Sequence, residues 1–208
     1  MRRLLKLSAL ALAALTAPLA AKAPYYYYSY NTYYPTPPAR TAATPYLSRV
    51  AQAERAAIAA YGPFRVLDDR TAALIGVTDG RTPAAFERML RDFPRIATLR
   101  FVECPGTRDD RANLALGRMI RAAGIAAVVP ANGSVRSGAV ELALAGTTLT
   151  IDDHSQFAVH AWLDEDGYGA NDYAADAPEH RKYLSYYRDM GMAADQAVSF
   201  YAMTNATP

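Results

Sequence analysis

Hydrophobic positions along the chain follow two different spacings, and their alternation predicts an α/β fold. Apolar residues three or four apart indicate amphipathic helices, and short apolar runs bounded by Gly, Pro or Asp indicate strands. Helices are predicted at 47–60, 82–93, 109–123, 137–145, 179–188 and 194–203. Strands are predicted at 64–67, 72–77, 99–103, 125–129, 148–151 and 157–160. Because strands alternate with helices and the last two elements are helical, we expect a mostly parallel sheet with a helical C-terminus.

The first 23 residues have the pattern of a secretory signal peptide. Three basic residues stand within the first six, and the apolar stretch at 7–19 is too short to span a bilayer comfortably. Small residues allow cleavage after Ala23, with Ala21 as a second candidate. The segment therefore predicts an exported protein, either periplasmic or secreted.

Cleavage after Ala23 changes the charge balance of the chain. Of 22 basic residues, 18 remain against 20 acidic ones, so the net charge changes from +2 to −2. The apparent basicity belongs to the export signal, and we expect no nucleic-acid partner. Cys104 is the only cysteine, so no internal disulfide can form. No nucleotide-binding glycine motif is present, and the acidic run 164–166 lacks the spacing of a calcium loop, so no cofactor or metal is expected.

Residues 24–46 form a low-complexity segment rich in Tyr and Pro. Prolines favour an extended chain without a packed core, which is typical of a stiff linker. Clustered tyrosines also suit contact with a membrane interface, a wall polymer or a partner in the envelope, and the sequence leaves both interpretations open. The folded domain is predicted to span 47–208.

Two side chains supply candidate acyl-transfer chemistry. Ser137 precedes a predicted apolar helix, where the helix dipole and free N–H groups stabilise an alkoxide or oxyanion, although serine is also a favoured N-cap. His160 interrupts an apolar segment 23 residues later and can act as general base, although a hydrogen-bonded core or edge histidine is the common alternative. The other two histidines, His154 and His180, have polar neighbours and are predicted to be solvated.

A strand-to-helix turn upstream offers backbone donors. Pro105, Gly106 and Thr107 follow a predicted strand and precede a predicted helix, so their N–H groups suit an oxyanion hole, or else form an ordinary turn. Cys104 adjoins the apolar strand end without an adjacent base, and we expect it to be buried and inert.

These features, in this order, resemble the proteolytic subunit of Clp protease and its crotonase-fold relatives, most closely exported bacterial members of unknown function. The resemblance extends from about Leu74 to the C-terminus and implies repeated ββα units with a mostly parallel sheet. The segments that carry it are Cys104–Thr107, Ser137–Ala139, Leu142–Gly146, Val159–Trp162, Tyr186–Gly191 and Phe200–Thr204.

The resemblance implies roles for five residues. Ser137 corresponds to the nucleophile and His160 to the base. The backbone N–H of Gly138, together with that of Gly106 or Thr107, corresponds to the oxyanion hole. Thr107 stands where the family has a second glycine, which makes the turn stiffer or aims it differently.

The third member of a triad is left open by the sequence. Counting along the family pattern reaches Asn205, and the nearest acids upstream are Asp189 and Asp195. An asparagine can also orient a histidine. Asp153 and Asp172 are more distant acids. Lys182 is the one candidate in the predicted domain for a serine–lysine dyad.

Two functions from different classes follow. The first is an exported serine hydrolase, in the first place a peptidase, acting on a peptide or protein without an ATPase partner because ATP is scarce outside the cytoplasm. The second is a non-catalytic binding or structural protein of the cell envelope on the same fold. Acyl-thioester chemistry, as in crotonases, is a weaker third, since coenzyme A is cytoplasmic. Clp-like relatives form rings, so a homo-oligomer is an open expectation.

Overall fold

Short strands pair into one mixed sheet in the computed structural model, which describes residues 45–164 and 166–207. The predicted signal peptide and nearly all of the Tyr/Pro-rich segment lie outside the described residues. Eight strands form the sheet in the described part of the chain: β1 Ala59–Tyr61, β2 Phe64–Val66, β3 Thr71–Ile75, β4 Thr98–Cys104, β5 Ala126–Val129, β6 Ser134–Arg136, β7 Leu149–Ile151 and β8 Gln156–Ala158. They run in the order β1-β2-β3-β4-β5-β7, and β6 lies between β4 and β8.

One strand of this sheet, β2, runs opposite to both of its neighbours. The pairs β1–β2 and β2–β3 are antiparallel, and every pair from β3 onward is parallel. Parallel strands need crossover connections, and helices supply most of them. The helices are α1 Pro45–Ala56, α2 Thr82–Asp92, α3 Asp110–Ala122, α4 Gly138–Leu144, α5 Pro178–Asp189 and α6 Ala194–Asn205. The predicted mixed α/β fold with a mostly parallel sheet and C-terminal helices is confirmed.

Local sequence signals account for the two longest crossover helices. Asp109 caps α3, because its side chain accepts a hydrogen bond from the N–H of Ala112. Pro83 lies in the first turn of α2, where its missing N–H costs nothing. Each helix turns an apolar stripe toward the sheet, including Phe86 on α2 and Ile120 on α3.

The core lies between the sheet and these helices. Phe101 in β4 and Leu74 in β3 are fully buried, as expected for strands covered on both faces. Burying a side chain of this size contributes about 2 kcal/mol. The end of β4 is enclosed as well, since Val102, Glu103 and Cys104 are all buried.

Two local predictions were wrong. The helix expected at 47–60 ends at Ala56, and 59–61 instead form β1, which pairs with β2 across the turn at Gly62, where φ is +55°. Strand pairing thus overrides the helix propensity of an alanine-rich run. The strand expected to contain His160 ends at Ala158, so the histidine lies just beyond β8.

The topology gathers the carboxyl ends of three strands. β6 pairs in parallel with β4 through Glu103 and Ser134, and with β8 through Arg136 and Ala158. Parallel neighbours end at the same edge of a sheet, where binding sites of α/β folds form. The segments that follow β4, β6 and β8 therefore lie side by side.

Candidate active site

Ser137 occupies the sharp turn between β6 and α4. Its φ of +51° and ψ of −135° lie in a region that glycine favours, and such a conformation costs of the order of 1–3 kcal/mol. The turn is held by its backbone: the N–H donates to the carbonyl of Ala158 at 2.8 Å, and the carbonyl accepts from the N–H of Val140 at 2.9 Å. Ser137 stands at the N-cap position of α4, but its hydroxyl makes no capping bond to the helix.

The serine hydroxyl instead meets His160. The distance from Ser137 Oγ to His160 Nε2 is 2.8 Å, and His160 Nδ1 lies 2.8 Å from the carbonyl oxygen of Ala161. A carbonyl only accepts hydrogen bonds, so Nδ1 carries the proton and Nε2 accepts from the serine O–H. This is the tautomer that a general base requires. The imidazole is exposed, so His160 is not a core histidine.

Gly106 approaches the serine closely. A Cβ added at Gly106 would lie 2.9 Å from Ser137 Cβ and 3.3 Å from its Oγ, and the φ of Gly106 is +131°. Only glycine fits this conformation and this space. Among the described residues, the N–H groups of Gly106 and Gly138 have no acceptor. Two unused backbone donors thus flank the serine, as stabilisation of an oxyanion requires.

Thr107 fills the space beside the turn at Ser137. A Cβ on Gly138 would lie 2.6 Å from the Thr107 methyl carbon, so the two residues pack directly on each other. The hydroxyl of Thr107 accepts from the N–H of Asp109 at 3.1 Å and thereby supports the start of α3. Thr107 is therefore a packing residue of this turn.

The three candidates for a third triad member have other partners or positions. Asp189 forms an ion pair with Arg118 at 2.8 Å, and Asp195 is exposed in the first turn of α6. Asn205 donates to the carbonyl of Tyr201 at 2.8 Å, and its Oδ1 is buried without a partner among the described residues. In the structure, the Nδ1 partner of His160 is the backbone carbonyl of Ala161 rather than any of these side chains.

The remaining polar candidates lie apart from Ser137 or are exposed. Lys182 places its amino group over the rings of Trp162 and Tyr183, 5.2 and 5.0 Å from their centroids. His154 is exposed, as predicted. The prediction for His180 was wrong: packing of α5 against α6 buries it, and its Nδ1 lies 2.8 Å from the Tyr201 hydroxyl. The outlying acids Asp153 and Asp172 are exposed.

Cys104 is buried, as expected. Its thiol lies 3.3 Å from the carbonyl of Leu74, and burial raises the pKa of the thiol far above its usual range. A thiol in that state is a poor nucleophile.

A buried carboxyl lies one helical turn after Ser137. Glu141 on α4 is 9% exposed and accepts a hydrogen bond from the Tyr187 hydroxyl at 2.9 Å. Burial raises the pKa of this carboxyl from 4.5 to about 7, because the charged form loses its hydration. The Tyr186 hydroxyl donates to the backbone carbonyl of the same residue at 2.6 Å. The helix that follows Ser137 therefore carries a group that titrates near neutral pH.

The sequence analysis missed two residues at the site. Asn113 on α3 and Thr78 after β3 are buried and hydrogen-bond each other, and Asn113 also bonds Gly138. A buried asparagine in the apolar stripe of an otherwise regular helix is the one hint the sequence offered. Next to them, Arg136 and Glu103 form a mostly buried ion pair at 2.5 Å between β6 and β4.

Comparisons with known proteins place the chain near one group of solved structures. A serine-to-alanine mutant of the 1510-N membrane-bound stomatin-specific protease matches at 16% identity and a TM-score of 0.46, covering 64% of this chain and 69% of that one. A lysine-to-alanine mutant of that protease, in complex with a substrate peptide, matches at 15% identity and a TM-score of 0.43, covering 66% and 68%. No family model matches, and no curated protein matches. At these identities and scores, functional inference rests on the arrangement of the site itself.

The described residues hold neither a membrane-spanning helix nor a cluster of metal-ligating side chains. None of their helices combines the length and apolar character needed to cross a membrane. Within 45–164 and 166–207, His, Cys, Asp and Glu side chains do not gather in groups of three that could hold a metal ion. A groove of about 480 Å³ lies between α5 and α6, and neither Ser137 nor His160 lines it.

Proposed function

We propose that this chain is an exported serine hydrolase of the Clp/crotonase type, with Ser137 as nucleophile and His160 as general base. The observation that carries the proposal is the 2.8 Å contact between Ser137 Oγ and His160 Nε2, with the imidazole held in the accepting tautomer. The strained backbone of the serine and the two unused N–H groups beside it support the same conclusion.

The proposed reaction has two stages. Ser137 Oγ attacks the substrate carbonyl carbon while His160 Nε2 takes the hydroxyl proton, and the N–H groups of Gly106 and Gly138 stabilise the negative oxygen. The imidazolium then protonates the leaving amine or alcohol, and an acyl-enzyme remains. Water adds to the acyl carbon, His160 takes its proton and returns it to Ser137 Oγ, and the carboxylic acid leaves.

The Ala161 carbonyl orients His160 in this scheme. In triads with a carboxylate, the acid fixes the tautomer and stabilises the imidazolium. A neutral carbonyl fixes the tautomer equally well but stabilises the charged ring less. We therefore expect a slower hydrolase than one with a full triad.

A peptide or already unfolded chain is the proposed substrate. The strand that leads to His160, β8, is exposed along all three residues and pairs on one side with β6. An extended chain can add to such an edge through its own backbone. Export to the periplasm or the exterior, and action without an ATPase, complete the proposal.

One observation favours the alternative, a non-catalytic binding protein of the envelope. Within the described residues, no carboxylate reaches His160 Nδ1. A site without that charge can retain the geometry of a hydrolase while binding its ligand without turnover.

A fluorophosphonate probe separates the two functions. We expect the purified mature protein to be labelled, and labelling to be lost in Ser137→Ala and in His160→Ala. Two exposed residues give matched controls, Ser199→Ala and His154→Ala, which we expect to be labelled at the wild-type rate. Absence of labelling in folded wild-type protein would contradict the hydrolase and favour the binding protein. N-terminal sequencing of protein recovered from the periplasm or medium tests export.

A further inference from the structure

Asn113 connects two parts of the candidate site through one buried amide. It is 2% exposed, its Nδ2 donates to the carbonyl of Gly138 at 2.6 Å, and its Oδ1 accepts from the Thr78 hydroxyl at 2.9 Å. The two partners fix the amide orientation, because a carbonyl accepts only and so must face the NH₂ group. Both the Oδ1 and the Nδ2 of Asn113 therefore have hydrogen-bond partners.

Thr78 joins the same network to the Gly106 turn. It is 1% exposed, its N–H donates to the carbonyl of Gly106 at 3.0 Å, and its own carbonyl accepts from the N–H of Arg108 at 2.9 Å. Its backbone thus brackets the turn at Gly106 and Thr107, while its side chain reaches Asn113. A chain of hydrogen bonds therefore links Gly106 to Gly138.

We infer that Thr78 and Asn113 form a positioning clamp, which fixes the Gly106 and Gly138 backbones relative to each other and to Ser137. The inference deepens the proposed function, since these glycines are the proposed oxyanion donors. Glycine permits the close approach seen here, but it also leaves the backbone conformationally free. The clamp holds the carbonyl of each glycine, and so restricts the freedom that the missing Cβ leaves.

Because Thr78 and Asn113 are buried, the clamp requires all of their hydrogen bonds to be formed. Two buried polar side chains are stabilising only when their hydrogen bonds are complete, and removing one partner leaves the other unsatisfied. The neighbouring buried positions of α3 are apolar, including Leu116 and Ile120. A purely structural role at position 113 would be served by such a side chain.

Isosteric variants test the clamp. Asn113→Asp keeps the shape but places a carboxyl oxygen against the Gly138 carbonyl, and Thr78→Val keeps the shape but removes the hydroxyl. Loss of one oxyanion donor lowers rates about 100- to 1,000-fold, and we expect each variant to lower the labelling rate at Ser137 at least about 10-fold. Thr78→Ser retains the hydroxyl and should restore most of the rate. Ile120→Ala, on the same face of α3 two turns away, is the control for general destabilisation and should label at the wild-type rate.

Glycine-selective ¹⁵N NMR gives a readout independent of activity, with only 12 glycines in the chain. A clamp predicts a cross effect: Asn113→Asp shifts the amide signal of Gly106, which it does not touch, and Thr78→Val shifts that of Gly138. Ile120→Ala should move neither. If each variant shifts only the glycine it contacts directly, the clamp is refuted.

The two readouts keep the two failures apart. If the wild type is not labelled but the variants show the cross effect, the hydrolase is refuted and the clamp is supported. Wild-type labelling rates in folded Asn113→Asp and Thr78→Val refute the clamp and leave the hydrolase intact. If Asn113→Asp does not fold, Thr78→Val and Thr78→Ser carry both measurements.

Discussion

The serine side and the histidine side of the candidate site are built differently. Ser137 lies in a turn held by backbone hydrogen bonds, by Gly106 packed against it and by the buried Asn113 behind it. His160 is exposed, follows an exposed three-residue strand, and is oriented by one backbone carbonyl.

The difference indicates which half of the site is preorganised. Stabilisation of developing charge requires donors that are fixed before the reaction, and the serine side is fixed from several directions. The exposed histidine side is held by two hydrogen bonds of the imidazole and is open to solvent. Changes on the serine side should therefore be costly, and changes beside the histidine should be mild.

The largest effect is expected from Gly106→Ala. The new Cβ would lie 2.9 Å from Ser137 Cβ at a φ of +131°, so the turn must move. Because backbone strain and overpacking add, we expect a loss of more than about 3 kcal/mol in the free energy of unfolding and about a 100-fold slower labelling of Ser137. Gly124→Ala is the control, because its φ of +70° is also positive while no atom lies within 4 Å of the added Cβ. Urea denaturation and labelling kinetics decide, and equal losses in both variants would show that proximity to the serine is unimportant.

The next effect concerns the buried carboxyl of Glu141. Its folded-state pKa is raised from 4.5 to about 7, so the folded protein holds the proton where the unfolded chain has lost it. Stability from this group is therefore present at low pH and is lost as pH rises from about 4.5 to about 7, by about 3 kcal/mol. Glu141→Gln keeps the acceptor for Tyr187 and should remove this decline.

Urea denaturation at pH 5 and pH 8 gives the fall in the free energy of unfolding for each protein. The fall in Glu141→Gln is then compared with the fall in the wild type. The exposed Glu87→Gln on α2 is the control and should keep the wild-type decline. An unchanged decline in Glu141→Gln would mean that the carboxyl is hydrated in solution.

A smaller effect, of opposite sign, is expected from Ser137→Gly. Glycine adopts a φ of +51° and a ψ of −135° without strain, which returns about 1–3 kcal/mol. The greater freedom of glycine in the unfolded chain offsets about 0.5–1 kcal/mol of this gain. We expect a net stabilisation of about 1 kcal/mol relative to Ser137→Ala, with both variants unlabelled. Thermal denaturation of the pair checks it, and a glycine variant less stable than the alanine variant would mean that the turn is relaxed in solution.

The smallest effect is expected beside the histidine, from Phe157→Ala in β8. Phe157 is 39% exposed, and truncation should change stability by less than about 0.5 kcal/mol and labelling by less than about twofold. Its register partner in β6, Val135, is fully buried, and Val135→Ala should cost about 2 kcal/mol. Equal costs for the two partners would remove the contrast between the two sides.

The sequence was most informative where periodicity was strong. The helix predicted at 109–123 is found at Asp110–Ala122, and the one predicted at 137–145 at Gly138–Leu144. In contrast, β6 has three residues and a polar composition, so no periodic signal marked it. Its pairing with both β4 and β8 nevertheless decides which segments become neighbours.

The residues of the candidate site also differ in how well the sequence predicts them. Ser137, His160 and the Gly106 turn are recognisable by residue type and by position at element ends. The partners of Asn113 are 35 and 25 residues away, and no local pattern predicts such pairs. The Nδ1 partner of His160 is a backbone carbonyl, which every residue carries, so residue type gave no indication of it.

The conformation of Ser137 also has a consequence for the evolution of this position. At this position, the substitution that abolishes the hydroxyl and the substitution that relaxes the backbone are the same change, to glycine. In a lineage that no longer used the hydroxyl, selection for stability alone would favour glycine at position 137. Related chains that keep serine here, generation after generation, would thereby record continued use of its oxygen.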